Sequence, residues 1–241
     1  MNEYRDADHI RSYVRRATHM SASQKRAYDE YRDRYCIAES ERQRIALLPE
    51  GERTSALLRS FESADAPLIV EIGFGMGDAT AEVAEQNPDT NYLGVEVHRP
   101  GVGKLLNRIA DRKIRNVRIV EDDAIVVLET LLTPESVDGF HLFFPDPWPK
   151  KRHHKRRLVR PGVVALLASR LKPTGYIYMA TDWEEYALEA LELLGANKLL
   201  ENPHDGFAPR ERWRPVTAFE RKGSEAGRMI REIIIRRLPC T

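Results

Sequence analysis

From residue 67 onward the apolar positions fall in short blocks, and their spacing switches repeatedly between two periods. Pro67-Leu-Ile-Val-Glu-Ile72, Asn91-Tyr-Leu-Gly-Val-Glu-Val97, Val117-Arg-Ile-Val120, the run around Phe140, Leu142, Phe143 and Phe144, and Tyr176-Ile-Tyr-Met-Ala-Thr181 are apolar runs of strand length, rich in β-branched and aromatic residues. Between them the apolar positions take helical spacing. Asp78 to about Gln86 reads as a helix with Asp78 as N-cap. A second carries Leu105, Leu106 and Ile109, and a third runs from Ala124 through Leu132. Pro161 opens a fourth, which carries Val163, Val164, Leu166, Leu167 and Leu171 to a turn at Lys172-Pro-Thr-Gly175. Trp183 to Gly195 is a fifth. Lys198 to Glu201 and Glu232 to Leu238 supply two last strands. Strands alternating with helices predict an α/β fold built on a doubly wound, mostly parallel, seven-stranded sheet.

Residues 1–60 have a different texture, highly charged and thin in aliphatics. Arg11, Arg15, Arg16, Lys25, Arg26, Arg32 and Arg34 are interleaved with Tyr4, Tyr13, Tyr28, Tyr31 and Tyr35. Such a mixture suits bases and phosphates, and suits equally a polar arm with one or two surface helices. The chain therefore divides into an N-terminal arm, 1–60, and a main domain, 61–241.

The end of the fourth strand changes the picture most. Pro145, Pro147 and Pro149 lack a ladder donor and must stop that strand. Alternating with Asp146, Trp148 and Lys150, they make a stiff loop that fixes a carboxylate, an indole and an ammonium. Lys150 to Arg157 then packs six Lys/Arg and two His into eight residues. A rigid acid-and-aromatic loop beside a polycation points to chemistry on a base attached to phosphates. Loops at strand ends of α/β sheets are also where ligands bind.

Composition adds limits. Net charge is only +1, so attraction to a polyanion must come from local clustering. With 42% hydrophobic and 31% charged residues, the chain can bury a core and suits the cytoplasm. The two cysteines, Cys36 and Cys240, have no metal-ligand spacing and make no disulfide framework, which predicts a reducing compartment and no metal. No apolar run approaches transmembrane length.

A Gly-rich turn after the first strand marks the nucleotide-binding corner of such folds. Gly73 and Gly75 fit the dinucleotide pattern Gly-x-Gly-x-x-Gly, but its last position is Asp78 and the third glycine comes early, at Gly77. That argues against NAD. Glu71-Ile-Gly73-Phe-Gly75-Met-Gly77 instead resembles the first motif of class I, Rossmann-like methyltransferases that use S-adenosylmethionine. In that family an acid ending the second strand takes the ribose hydroxyls, and one after the third strand meets the adenine amine. The resemblance puts Glu96 and Asp123 in those places. The acceptor chemistry agrees, since the ligand is cationic at sulfur and offers hydroxyl and amine donors.

Pro145-Asp-Pro-Trp-Pro-Lys150 with its basic run resembles the signature of the bacterial tRNA (guanine-N7-)-methyltransferases. Ile10-Arg-Ser-Tyr-Val-Arg-Arg16, Thr181-Asp-Trp183 and Arg214-Pro-Val-Thr-Ala-Phe-Glu220 resemble three further segments of that family. Ala218 departs from it, standing where a lysine is usual. The resemblance implies methyl transfer to N7 of a guanosine in tRNA, at position 46 of the variable loop. It implies Asp146 as catalytic residue, and cofactor contacts from Glu71, Gly73, Gly75, Glu96, Asp123 and Asp146. It implies substrate contacts from Lys150, Asp182, Thr217, Ala218, Phe219 and Glu220, and RNA contacts from Arg152, His153, His154, Lys155, Arg156 and Arg157. The partner is then tRNA, bound by a monomer or a homodimer. Two rival readings stand beside this one. A small-molecule methyltransferase or aminopropyl transferase would leave Lys150 to Arg157 without a purpose. An RNA-binding module with an inactive corner would have no reason to keep the glycines and three acids together.

Overall fold

Strands Leu68–Ile72 (β1), Asn91–Val95 (β2), Val117–Val120 (β3), Val137–Phe143 (β4), Leu171–Thr181 (β5), Leu200–Glu201 (β6) and Arg231–Arg237 (β7) form one sheet in the order β3-β2-β1-β4-β5-β7-β6. These elements come from a computed structural model that describes residues 19–239. Ile10 to Arg16, Tyr4, Tyr13 and Cys240 lie outside the described residues. The first five strands pair in parallel, and β7 runs antiparallel between β5 and β6. Every residue of β1 and β2 is buried. That is why they read as mostly apolar runs, Glu71 and Asn91 excepted, since a parallel sheet is covered on both faces.

Helices Asp78–Gln86 (named α4 below), Arg99–Arg112 (α5), Ala124–Thr130 (α6), Pro161–Arg170 (α7) and Glu184–Gly195 (α8) provide the crossovers, preceded by Ala22–Tyr35 (α1), Glu39–Ala46 (α2) and Arg53–Leu58 (α3), and followed by Ala218–Glu225 (α9). The fold class is as expected. Two local expectations are corrected. The N-cap of α4 is Gly77, in the left-handed region at φ 70°, and Asp78 is the first helical residue, paired with Arg108. Lys172 to Gly175 does not separate helix from strand. It bulges within β5, which already pairs Leu171 with Val137 and resumes pairing at Tyr176 with Gly139.

Packing runs across the boundary expected at residue 60. Ile37, Ile45, Ala56 and Leu57 share one buried cluster with β1 and β4 residues. Helix α1 starts with a capping box, Ser21 with Gln24, and buries Ala27, Tyr28 and Tyr35 among α5 residues such as Leu105 and Ile109. Two of the tyrosines that could have met bases are therefore core residues. The Gln24 side chain donates to the Pro100 carbonyl at 3.0 Å, and a Cβ on Gly103 would stand 2.7 Å from the Gln24 carbonyl oxygen. Among the described residues, no helix is long and apolar enough to cross a membrane.

Candidate active site

β1 lies between β2 and β4, so the crossovers leave it in opposite directions and open a crevice at the carboxyl ends of the strands. The Gly73 turn follows β1 there. Gly73, Gly75 and Gly77 have φ of 74°, 58° and 70°, where a side chain is strained. A Cβ added to Gly73 would meet nothing within 4 Å, so this backbone is open to a ligand. On the other side the turn is closed by α5. A Cβ on Gly101 would fall 2.0 Å from the Gly75 carbonyl oxygen, which allows only glycine there. Gly101 lies outside the Gly-rich motif, and its place just after Pro100, at the start of the helix that follows Glu96, is the signal for it in the sequence.

Glu96 leaves β2 and turns back onto the same loop. Its Oε2 accepts from the Gly75 N–H at 2.9 Å, and Oε1 accepts from Val97 and His98 at 2.8 and 3.0 Å. Burial raises its pKa, opposed by those backbone donors. Asp123 caps α6, accepting from the Ile125 N–H at 2.8 Å. Glu71 is buried in β1, and desolvation pushes its pKa up to about 7. The folded state then holds the Glu71 proton more tightly than the unfolded state. Its contribution is full below the ordinary carboxylate value of 4.5, falls as pH rises from there to about 7, and is gone above it. The melting temperature of the free protein should fall across that interval, and Glu71→Gln should flatten the fall. An unchanged slope in a pH series of thermal melts would show that Glu71 does not titrate there.

The second wall follows β4. Phe144 and Trp148 adopt φ of 55° and 45°, uncommon for such residues and typical of loops held in shape by their surroundings. The Phe144 N–H donates to the Ala180 carbonyl at 2.8 Å, and Asp146 is exposed beyond it. Lys151–Arg156 forms a 3-10 segment that wraps back on the loop. The Arg156 guanidinium lies 5.1 Å from the Trp148 ring centroid, and His153 meets that ring edge-on at 5.8 Å. Lys150, Arg152 and Lys155 are exposed, while His154 is half-buried against Glu185. Arg157, expected as an RNA contact, turns away from the exposed part of the run. It is fully buried, with its Nε donating to the Pro147 carbonyl at 2.8 Å and its guanidinium paired with Glu189 and Glu185.

The third wall joins Asp182, at the end of β5, to the C-terminal motif. Asp182 accepts from Arg228 Nε at 2.6 Å, and a Cβ on Gly223 of α9 would stand 2.9 Å from its Oδ2. It also faces a cleft of about 700 Å³ shared with Trp183, Leu188, Arg228 and Met229. Thr217 caps α9, its hydroxyl accepting from the Glu220 N–H at 3.1 Å. Glu220, expected as a substrate contact, lies just inside the same helix. It is buried, bound to Arg214 at 2.7 Å and Arg210 at 3.4 Å, so in this structure its carboxylate ties the motif together. Arg214 ties it onward to Glu232 of β7 at 2.6 Å. Ala218 and Phe219 are exposed. The Phe219 ring stacks on Phe144 at 6.4 Å and comes within 3.9 Å of a Cβ placed on Gly75. The glycine turn, the Asp146 loop and the C-terminal motif therefore meet at one rim.

Comparison with known proteins agrees with that geometry. A family model described as "Putative methyltransferase" matches residues 65–233. A tRNA (guanine-N(7)-)-methyltransferase of Paraburkholderia xenovorans is 48% identical over 228 residues, which cover 95% of this chain and 83% of that protein. The enzyme of the same name from Chromobacterium violaceum is 50% identical over 228 residues, covering 95% and 96%. The crystal structure of the 16S rRNA methyltransferase KamB superposes with a TM-score of 0.56 at 13% identity, over 84% of this chain and 95% of that one, a likeness of fold. Kinship over nearly the whole length, on a methyltransferase sheet whose rim gathers the glycine turn and the Asp146 loop, makes this chain a member of the tRNA (guanine-N(7)-)-methyltransferase family.

Proposed function

We propose that this protein methylates N7 of a guanosine in tRNA with S-adenosylmethionine, the target being position 46 of the variable loop. The observation that carries the reading is the meeting of the Gly73 turn and the Asp146 loop at adjacent strand ends, bridged by Phe219. The residues suit the cofactor. Gly73 opens backbone to it, and Glu71, Glu96 and Asp123 are acceptors at three successive strand ends. Three backbone donors occupy Glu96, and a carboxylate has about four acceptor sites, which leaves room for a ribose hydroxyl. Bound there, S-adenosylmethionine supplies an electrophilic methyl group.

Asp146 accepts hydrogen bonds from guanine N1–H and its exocyclic amine, and so turns N7 toward the glycine corner. N7 already carries a lone pair and no proton, so no base is needed to free it. As the ring becomes cationic, the carboxylate stabilises the developing charge. Asp182 is the second acid in reach, with Arg228 on its other side. Lys150, Arg152, Lys155 and Arg156 hold phosphates, positioning the RNA without reading it. The test is transfer of labelled methyl to bulk tRNA, followed by nuclease digestion. Label in 7-methylguanosine is expected, and label in any other nucleoside would overturn the reading.

A further inference from the structure

Arg157 closes the basic run in sequence but leaves it in space. Its guanidinium is fully buried at the junction of three pieces. Nε donates to the carbonyl of Pro147, the residue between Asp146 and Trp148, at 2.8 Å. The two terminal nitrogens face Glu189 and Glu185 of α8, the latter at 3.4 Å. The guanidinium plane lies 5.0 Å from the ring centroid of Tyr186, whose hydroxyl in turn accepts from the Val159 N–H at 3.1 Å. A planar fork can hold a carbonyl, two carboxylates and a ring face at once, and an ammonium cannot.

We propose that Arg157 is a positioning residue that fixes the Asp146 loop against α8, and that it contributes no phosphate contact. The loop needs such a brace. Proline stiffness sets its local shape but not its angle to the sheet, and Phe144 and Trp148 hold uncommon backbone angles that only their surroundings can maintain. Pro147 offers no N–H, so its carbonyl is the backbone handle next to Asp146. By gripping that carbonyl, Arg157 sets the direction of the carboxylate one residue earlier and the indole one residue later. The proposal rests on the reaction given above, because it assigns a role at that same site.

The test compares Arg157→Lys, Arg157→Met and Glu189→Gln with a triple Arg152→Ala, Lys155→Ala, Arg156→Ala variant. Turnover is measured well below each melting temperature. A catalytic group displaced by about 1 Å can lose about a hundredfold in rate, and that order of loss in kcat is expected for both Arg157 variants. Affinity for tRNA and for S-adenosylmethionine should stay near wild type. The slope of tRNA affinity against salt should not change, whereas the triple variant should flatten it by nearly one unit per lost phosphate contact. Lysine would preserve a phosphate contact but not this fork, so failure of Arg157→Lys to restore turnover is part of the expected result. Glu189→Gln, at a partly exposed position, should show a smaller loss of the same kind, and it decides the matter if the Arg157 variants do not fold. The Trp148 indole resonance should shift or broaden in each clamp variant. A flattened salt slope in Arg157→Met, or full turnover in Arg157→Lys, would overturn the proposal. If the wild-type protein labels no tRNA, the reaction falls, while the Trp148 resonance still reports whether Arg157 holds the loop.

Discussion

Asp146→Asn should lower the turnover number by roughly a hundred- to thousandfold, the usual effect of losing one preorganised electrostatic contact worth about 2.7–4 kcal/mol in the transition state. The substitution keeps the shape of the side chain and removes its charge. It also places an amide donor against guanine donors. Asp146 is exposed at the loop tip rather than built into the core, so the fold should tolerate the change and the melting temperature should hold. Binding of tRNA, carried mostly by phosphate contacts, should change little. A tRNA with 7-deazaguanine at the target should bind and accept no methyl, because carbon replaces the attacking lone pair. Near-normal turnover by the Asn variant would remove Asp146 from the mechanism, and transfer to the deaza substrate would mean that N7 is not the acceptor.

Glu96→Ala should weaken S-adenosylmethionine binding by on the order of a hundredfold. A hydrogen bond to a charged acceptor contributes about 1.5–3 kcal/mol, which alone is about ten- to hundredfold. The remainder comes from the corner itself. The Glu96 carboxylate holds the N–H groups of Gly75, Val97 and His98, and alanine leaves all three without it. The turn then loses the tie that orients its open face. Calorimetry with the cofactor measures the effect. An unchanged dissociation constant would exclude Glu96 from the site.

The sheet was legible because its signals are local. β1 to β3 are short runs closed by glycines or acids, and a parallel strand buried on both faces is mostly apolar. The glycine corner and the proline loop were legible for the same reason, since left-handed φ and missing donors belong to single residues. What escaped depended on distant partners. Within Lys150 to Arg157 every cation looks alike, and Arg157 turns inward onto partners that include Glu189, 32 residues later. Glu220 looks like an exposed acid until Arg214 and Arg210 are seen around it. Tyr28 and Tyr35 sit in a charged stretch, and nothing near them in sequence tells that α5 will cover them. The Asp78 cap failed for a subtler reason. A left-handed glycine one residue earlier already ends the turn, and it leaves the aspartate inside the helix.

The contact of α1 with α5 also bears on how deletions should be read. Gln24 reaches the carbonyl of Pro100, and the Gln24 carbonyl lies where a side chain on residue 103 would go. One residue past Pro100, Gly101 presses on the carbonyl of Gly75. Three backbone segments are thus stacked without a side chain to act as spacer, from the N-terminal helix through α5 to the cofactor turn. Such a stack has no slack, and its outermost layer sets the position of the innermost. Helix α1 is then a thrust block for the cofactor corner, whatever else the residues before it touch. A truncated protein that no longer methylates tRNA would have lost its backing as well as its arm, and only its affinity for S-adenosylmethionine could separate the two.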